Sequence, residues 1–174
     1  MTDHIPELHR PLATDRIPVT GMSMDVLATS DECKLIAQRL MIPGVEYLSC
    51  RFMLNRPLAG SERRREGEIV AEGRLRATLV RECVVSLEKI TVKIDERFRV
   101  RFVSAGSESD DEDPESDDEI AYGGAAIDLG EAAVEQLGLT LDPYPRKPGA
   151  ELPPEANDPE EGAFAALSRL VRPD

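Results

Sequence analysis

Along two neighbouring stretches of this chain, apolar side chains fall on every second position, and that alternation limits the possible folds more than any other feature. Ile69, Ala71, Leu75, Ala77 and Leu79 share one parity, opposite Glu72, Arg74, Arg76 and Thr78. Ile90, Val92, Ile94, Phe98, Val100 and Phe102 do the same against Lys89, Lys93, Arg97, Arg99 and Arg101. Successive side chains of a strand point to opposite faces, so each stretch predicts a strand with one buried face and one basic, solvated face. Glu96 interrupts the apolar series and predicts a bulge or bend. The expected fold class is α+β: an antiparallel β-meander or partly open barrel, packed with about three helices and carrying a long disordered acidic loop.

The helices are marked by their caps. Thr29 followed by Glu32 forms the two halves of a capping box, and Cys33, Leu35, Ile36 and Leu40 recur at helical spacing until Pro43-Gly44 stops the run. Before it, Ile17 to Ala28 predicts a strand with a turn at Gly21; after it, Val45 to Leu54 predicts a strand and Asn55 to Arg65 a loop. Asp128 opens a second helix through Leu129, Ala132, Ala133, Gln136 and Leu137, with Glu131 completing the cap and Gly138 ending it. Leu139 and Leu141 are expected to reach the core, and Pro143, Pro145 and Pro148 to hold an extended connector. A last short helix is expected over Phe164 to Val171.

Charge is strongly segregated. Residues 1–33 hold 2 basic and 6 acidic side chains, residues 34–103 hold 15 and 9, and residues 104–174 hold 4 and 19. Ser104 to Glu119 has nine acids and no Lys or Arg, a composition with no apolar surface to offset chain entropy. Three readings stand for it: a solubilising spacer, a bait for a basic partner, or an internal competitor for the basic strands. The expected organisation is a flexible N-terminus (1–16), a helix plus antiparallel β core (17–103), a disordered acidic loop (104–126), and C-terminal helices with a Pro-rich connector packing on the same domain (127–174).

Signals for catalysis are thin, and no enzyme, cofactor or metal site is expected. Cys33, Cys50 and Cys83 are odd in number and far apart, as suits reduced thiols, and His4 and His9 give a zinc site little support. Cys83 sits among Val84, Val85 and Leu87, where a buried thiol is a commoner explanation than a nucleophile. Gly123-Gly124 lacks the Lys and Ser or Thr of a phosphate loop, and the acidic tract lacks calcium-loop spacing. No apolar run is long enough to cross a bilayer and no signal pattern opens the chain, so a cytoplasmic location is expected.

Cys83-Val84-Val85-Ser86-Leu87-Glu88, then Ile127-Asp128-Leu129-Gly130-Glu131 running on to Leu141-Asp142-Pro143-Tyr144-Pro145-Arg146-Lys147-Pro148-Gly149-Ala150, stand in a fixed order. An acidic tract separates them, and Phe164-Ala165-Ala166-Leu167 follows. From about Ile17 to Leu170 this order resembles the YceD family of bacterial proteins, in particular its alphaproteobacterial branch. The chain departs from the family pattern at Val80, where other branches carry the first cysteine of a Cys-x-x-Cys pair, and at Gly162-Ala163, where Asn-Pro is usual.

The resemblance implies a non-catalytic factor needed for accumulation of large-subunit (23S) ribosomal RNA. It would act on that RNA or on a basic large-subunit ribosomal protein; the alternative is an acidic adaptor or chaperone with no RNA contact. Candidate contacts are Arg74, Arg76, Lys93, Arg97, Arg99 and Arg101 on the basic strand face, with Arg63 to Arg65 nearby, and Tyr144, Arg146 and Lys147 on the connector. Weighing against RNA are the net charge of −13 and the lack of recognisable exposed aromatics for base stacking. The same arginines also suit a solubilising sheet face with cross-strand ion pairs to Glu72 or Asp95. Tyr144 is expected to cover a core edge, or to dock with Arg146 and Lys147 as part of a stiff recognition segment.

Overall fold

The structure, a computed structural model, describes residues 6–57, 67–107 and 117–151. Its centre is an open five-stranded sheet in the order β2-β3-β4-β5-β6. Strands β2 (Met22–Leu27), β3 (Gly44–Asn55), β4 (Ile69–Glu82) and β5 (Lys89–Ser104) form the expected antiparallel series, and β6 (Asp118–Tyr122) joins it parallel to β5. A smaller two-stranded sheet pairs β1 (Pro11–Ala13) with β7 (Ala126–Asp128). The architecture is α+β and not a closed barrel. Two α-helices, α1 (Ser30–Arg39) and α2 (Leu129–Leu139), are present among the described residues. The third expected helix, Phe164 to Val171, and most of the acidic tract lie outside the described residues.

The alternation read from β4 and β5 is the alternation of the sheet. Ile69, Ala71, Leu75, Ala77 and Leu79 are buried, as are Leu48, Cys50, Phe52 and Leu54 of β3 and Val100 and Phe102 of β5. Gly73 falls on this inner side between its ladder partners Phe52 and Phe98. The missing side chain is filled by Phe98, whose ring lies over the glycine and meets Phe52 edge to face at 5.7 Å.

The expected irregularity at Glu96 is absent: the β4–β5 ladder runs unbroken from Ile69↔Phe102 to Glu82↔Lys89, with Glu96 opposite Leu75. Glu96 stays exposed because β6 pairs only with Val100 to Ser104, so the first part of β5 is an uncovered edge among the described residues. The bulge lies instead in β3, where the register shifts between Val45 and Tyr47. There Glu46 and Tyr47 both face outward, and Val45 and Leu48 both face the core.

Helix α1 starts with the expected capping box: the Thr29 hydroxyl accepts from the Glu32 N–H, and Glu32 accepts from the Thr29 N–H. Its buried residues are Cys33, Ile36 and Ala37, whereas Leu35 is 48% exposed, so the apolar stripe is rotated by one position from the expected one. The chain leaves the helix through Met41 at φ 51°, a conformation expected of a glycine, with its side chain in solvent.

In α2, Asp128 caps as expected, accepting from the N–H groups of Gly130 and Glu131. Glu131 does not close a capping box; its carboxylate takes both Arg39 Nη atoms, at 2.6 and 2.8 Å. The helix runs one residue past Gly138 to Leu139, which is exposed, while Leu141 packs against the core.

Residues 6–16, expected within a flexible terminus, are packed. Leu8 is fully buried and Leu12 nearly so, and Asp128 Oδ1 accepts the Arg10 N–H at 2.9 Å while Oδ2 meets His9. Gly130 makes this possible, since a Cβ there would stand 2.7 Å from the Leu8 carbonyl carbon. Likewise, β6 and the first residue of β7, Ala126, occupy positions expected in the acidic loop.

Candidate functional site

The turn joining β4 to β5 and the Pro-rich connector, 64 positions apart in sequence, meet at one end of the sheet. The turn closes through Cys83 N–H to Glu88 O at 2.9 Å and Leu87 N–H to Cys83 O at 2.8 Å. The connector docks on it: Val84 N–H donates to Pro145 O at 3.0 Å, Lys147 N–H to Cys83 Sγ at 3.2 Å, and Lys147 Nζ to Glu88 at 2.8 Å. Arg81 secures the other end by donating to the Asp142 carbonyl at 2.8 Å. Pro145 is the buried residue of this segment, and Tyr144, expected to cover a core edge, is 70% exposed.

Cys83 has no accessible surface, as expected of a packed thiol. Its acidity is unusual: hydrogen bonding from the Ser86 hydroxyl, then from the N–H groups of Lys147, Ser86 and Val85, brings it down to about 6. Desolvation of the thiolate acts the other way and is outweighed by these donors. Cys33 and Cys50 go the other way, pushed up by burial, Cys50 to about 12. No group of three or more His, Cys, Asp or Glu among the described residues is placed to hold a metal.

The basic face is the outer side of the same sheet. Cross-strand register sets its rows: Asp25, Arg51, Arg74 and Arg97 across β2 to β5; Leu27, Ser49, Arg76 and Asp95 beside them; then Tyr47, Thr78 and Lys93. On the other flank lie Ser23, Met53, Glu72 and Arg99. By register all six expected sheet residues therefore share one face, and five of them are exposed there.

Arg101 is the exception. Its side chain is only 19% exposed, held by Glu119 of β6 at 3.0 Å and by Glu68 at 3.7 Å. The connector lies across the core-side surface near Leu79, Ile90, Val92 and Ile94, where Arg146 borders a cleft of about 250 Å³. Tyr144, Arg146 and Lys147 thus form a second cluster, separate from the arginine rows.

Acids interleave with these arginines. Asp25 pairs with Arg51 at 2.6 Å; Asp95 takes Arg74 at 2.6 and 2.8 Å and Arg76 at 3.4 Å; Asp117 faces Arg99 at 3.4 Å. The expected ion pair to Asp95 is therefore present. Lys93 and Arg97 make no ion pair among the described residues. Cationic side chains along this exposed stretch of β5 also discourage edge-to-edge pairing with another chain.

Two residues escaped the sequence. Arg51 joins the face because β3 alternates in phase with β4, and Tyr47, 45% exposed, supplies an aromatic ring where none was expected. Tyr47 shares the parity of Ser49, Arg51 and Met53 and so faces outward by the alternation of β3; the bulge before it only returns Val45 to the core side.

No curated protein and no solved structure matches the chain. A family model described as "Large ribosomal RNA subunit accumulation protein YceD" matches residues 71–168, a span that covers most of β4, then β5, β6, β7, α2 and the whole junction of turn and connector. With more than half of its length matched, and with both distinctive segments inside the match and joined in space, the chain belongs to the YceD family.

Proposed function

We propose that the chain supports accumulation of large-subunit ribosomal RNA as a non-catalytic cytoplasmic factor, holding RNA by its phosphates on the outer face of the sheet. The family's role in large-subunit RNA accumulation supplies the biological setting. The observation that carries the contact is the register that brings Arg51, Arg74, Arg76, Lys93, Arg97 and Arg99 together from three adjacent strands, with Arg97 and Lys93 unpaired among the described residues. Exposed ion pairs such as Arg74 with Asp95 contribute little, so an incoming phosphate competes readily for the guanidinium.

A second reading, an acidic adaptor for a basic ribosomal protein, draws on the same ion pairs: Asp25, Asp95 and Asp117 already answer most of the arginines.

Titration of labelled ribosomal RNA fragments across a salt series separates the two. Phosphate binding makes log K fall linearly with log salt, and replacing Lys93, Arg97 and Arg99 by Gln flattens that slope by about one unit per lost contact. An unchanged affinity and slope in the triple variant would leave the face as a solvated surface and put the adaptor first.

A further inference from the structure

We infer that the outer face takes single-stranded rather than duplex RNA, with an unpaired base stacked on Tyr47. This rests on the reading of that face as an RNA contact and specifies its substrate.

Tyr47 stands among the cations, with Thr78 and then Lys93 as its cross-strand neighbours, and Arg76 opposite Ser49 in the next row. Its hydroxyl donates to Ser49 Oγ at 2.9 Å, two residues along the same strand. That bond ties the ring along β3, so little side-chain freedom remains to be lost when a base stacks on it.

The ring also sits between two depressions. One, of about 400 Å³, is bordered by Asp25, Leu27, Arg51 and Arg74; the other, of about 310 Å³, by Thr78, Lys93 and Asp95; Tyr47 and Arg76 border both. A third, of about 500 Å³, continues past Met53 and Arg99 and shares Arg51 and Arg74 with the first. The three form one track along the sheet. Its span from Met53 to Tyr47, six residues of strand, is roughly 20 Å.

A track lined by guanidinium groups and interrupted by one aromatic ring suits a flexible strand whose bases splay outward. An A-form duplex keeps its bases stacked inside and offers Tyr47 no free π-face. Base stacking on an aromatic side chain tolerates any sequence, so a modest preference among bases is expected.

The test uses the full chain and two fluorescently labelled probes of equal length, an unstructured oligoribonucleotide and a perfect RNA duplex, in fluorescence anisotropy at fixed salt. The single strand should bind more tightly. Tyr47→Leu should weaken it roughly 5- to 100-fold, the loss of one stacked base, while leaving duplex binding and the salt slope unchanged. Tyr47→Phe keeps the ring and should retain most of the affinity, which separates stacking from the hydroxyl contact and from any folding defect.

Single-strand affinity unaltered in Tyr47→Leu, or a duplex bound as tightly, would overturn the inference. Arg97→Gln distinguishes the two levels. If it still weakens both probes, the basic face stands and only the single-strand specification fails; if it changes neither, the RNA reading fails with it.

Discussion

The backbone N–H of Lys147 donates to the sulfur of Cys83 across 3.2 Å, so the thiol of a turn is a fastening point for the connector. The bond is one of four that favour the thiolate, and it exists only while the connector is docked.

Cys83 should therefore titrate alone. Thiolate ultraviolet absorbance should rise in a step near pH 6, well below any contribution from Cys33 or Cys50, and Cys83→Ala should erase it. A folded-state value below the ordinary thiol value of 9.0 means that this contribution to stability is complete above about pH 9 and is lost as pH falls through about 6. The stability difference between wild type and Cys83→Ala should accordingly widen between pH 6 and pH 9 in urea titrations.

Acid sensitivity should centre on Glu32. Its carboxylate takes Arg10 at 2.8 and 3.0 Å, and this pair, aided by the Thr29 N–H, holds it at about 2 against burial. The stabilisation is full above about pH 4.5 and disappears as pH falls through about 2. With Arg10 35% exposed, solvent screening limits the effect. Arg10→Met should cost about 1–2 kcal/mol at neutral pH, and the gap to wild type should close on acidification.

Gly73→Ala should destabilise by roughly 1–3 kcal/mol in urea unfolding, since the new methyl group would stand 2.6 Å from ring carbon Cε2 of Phe98 and displace it from Phe52. Gly123 has no heavy atom within 4 Å of such a methyl group, so Gly123→Ala should change stability by less than about 0.5 kcal/mol.

Gly130→Ala should release the segment that crosses α2. The obstructing atoms are the backbone of Leu8 and Arg10, which cannot swing aside as a side chain would. Hydrogen exchange should show lost protection at the Leu129 N–H, bonded to Arg10 O at 3.1 Å, while β3 and β4 keep theirs.

The parts legible in the sequence were those with a local cause. Period-two alternation identifies β4 and β5, and the side-chain chemistry of Thr29, Glu32 and Asp128 marks helix starts, because strands and caps leave their requirements within a few residues. What the sequence hid depends on distant partners. Leu8 and Leu12 look like isolated apolar residues until β7 and α2 cover them, and Glu131 suits a capping box until Arg39 offers a stronger partner. Leu35 and Ala37 exchange roles because the direction in which α1 meets β3, not apolar spacing alone, selects the buried face. In the candidate site, the arginines of β4 and β5 were readable from parity, as the outward side of Tyr47 was in β3, but the withdrawal of Arg101 from solvent depends on Glu119 of a strand paired later in the chain.

The pairing of β1 with β7 sets an order of events on the ribosome. Strands β2 to β5 pair with sequence neighbours and can assemble as they emerge, whereas Arg10 must wait for Asp128, 118 positions later. Until then β1 has no strand partner, and the segment is held only by contacts such as that of Arg10 with Glu32. The N-terminal segment of the domain is thus the first of these elements to be made and among the last to be locked in place, when β7 and α2 arrive.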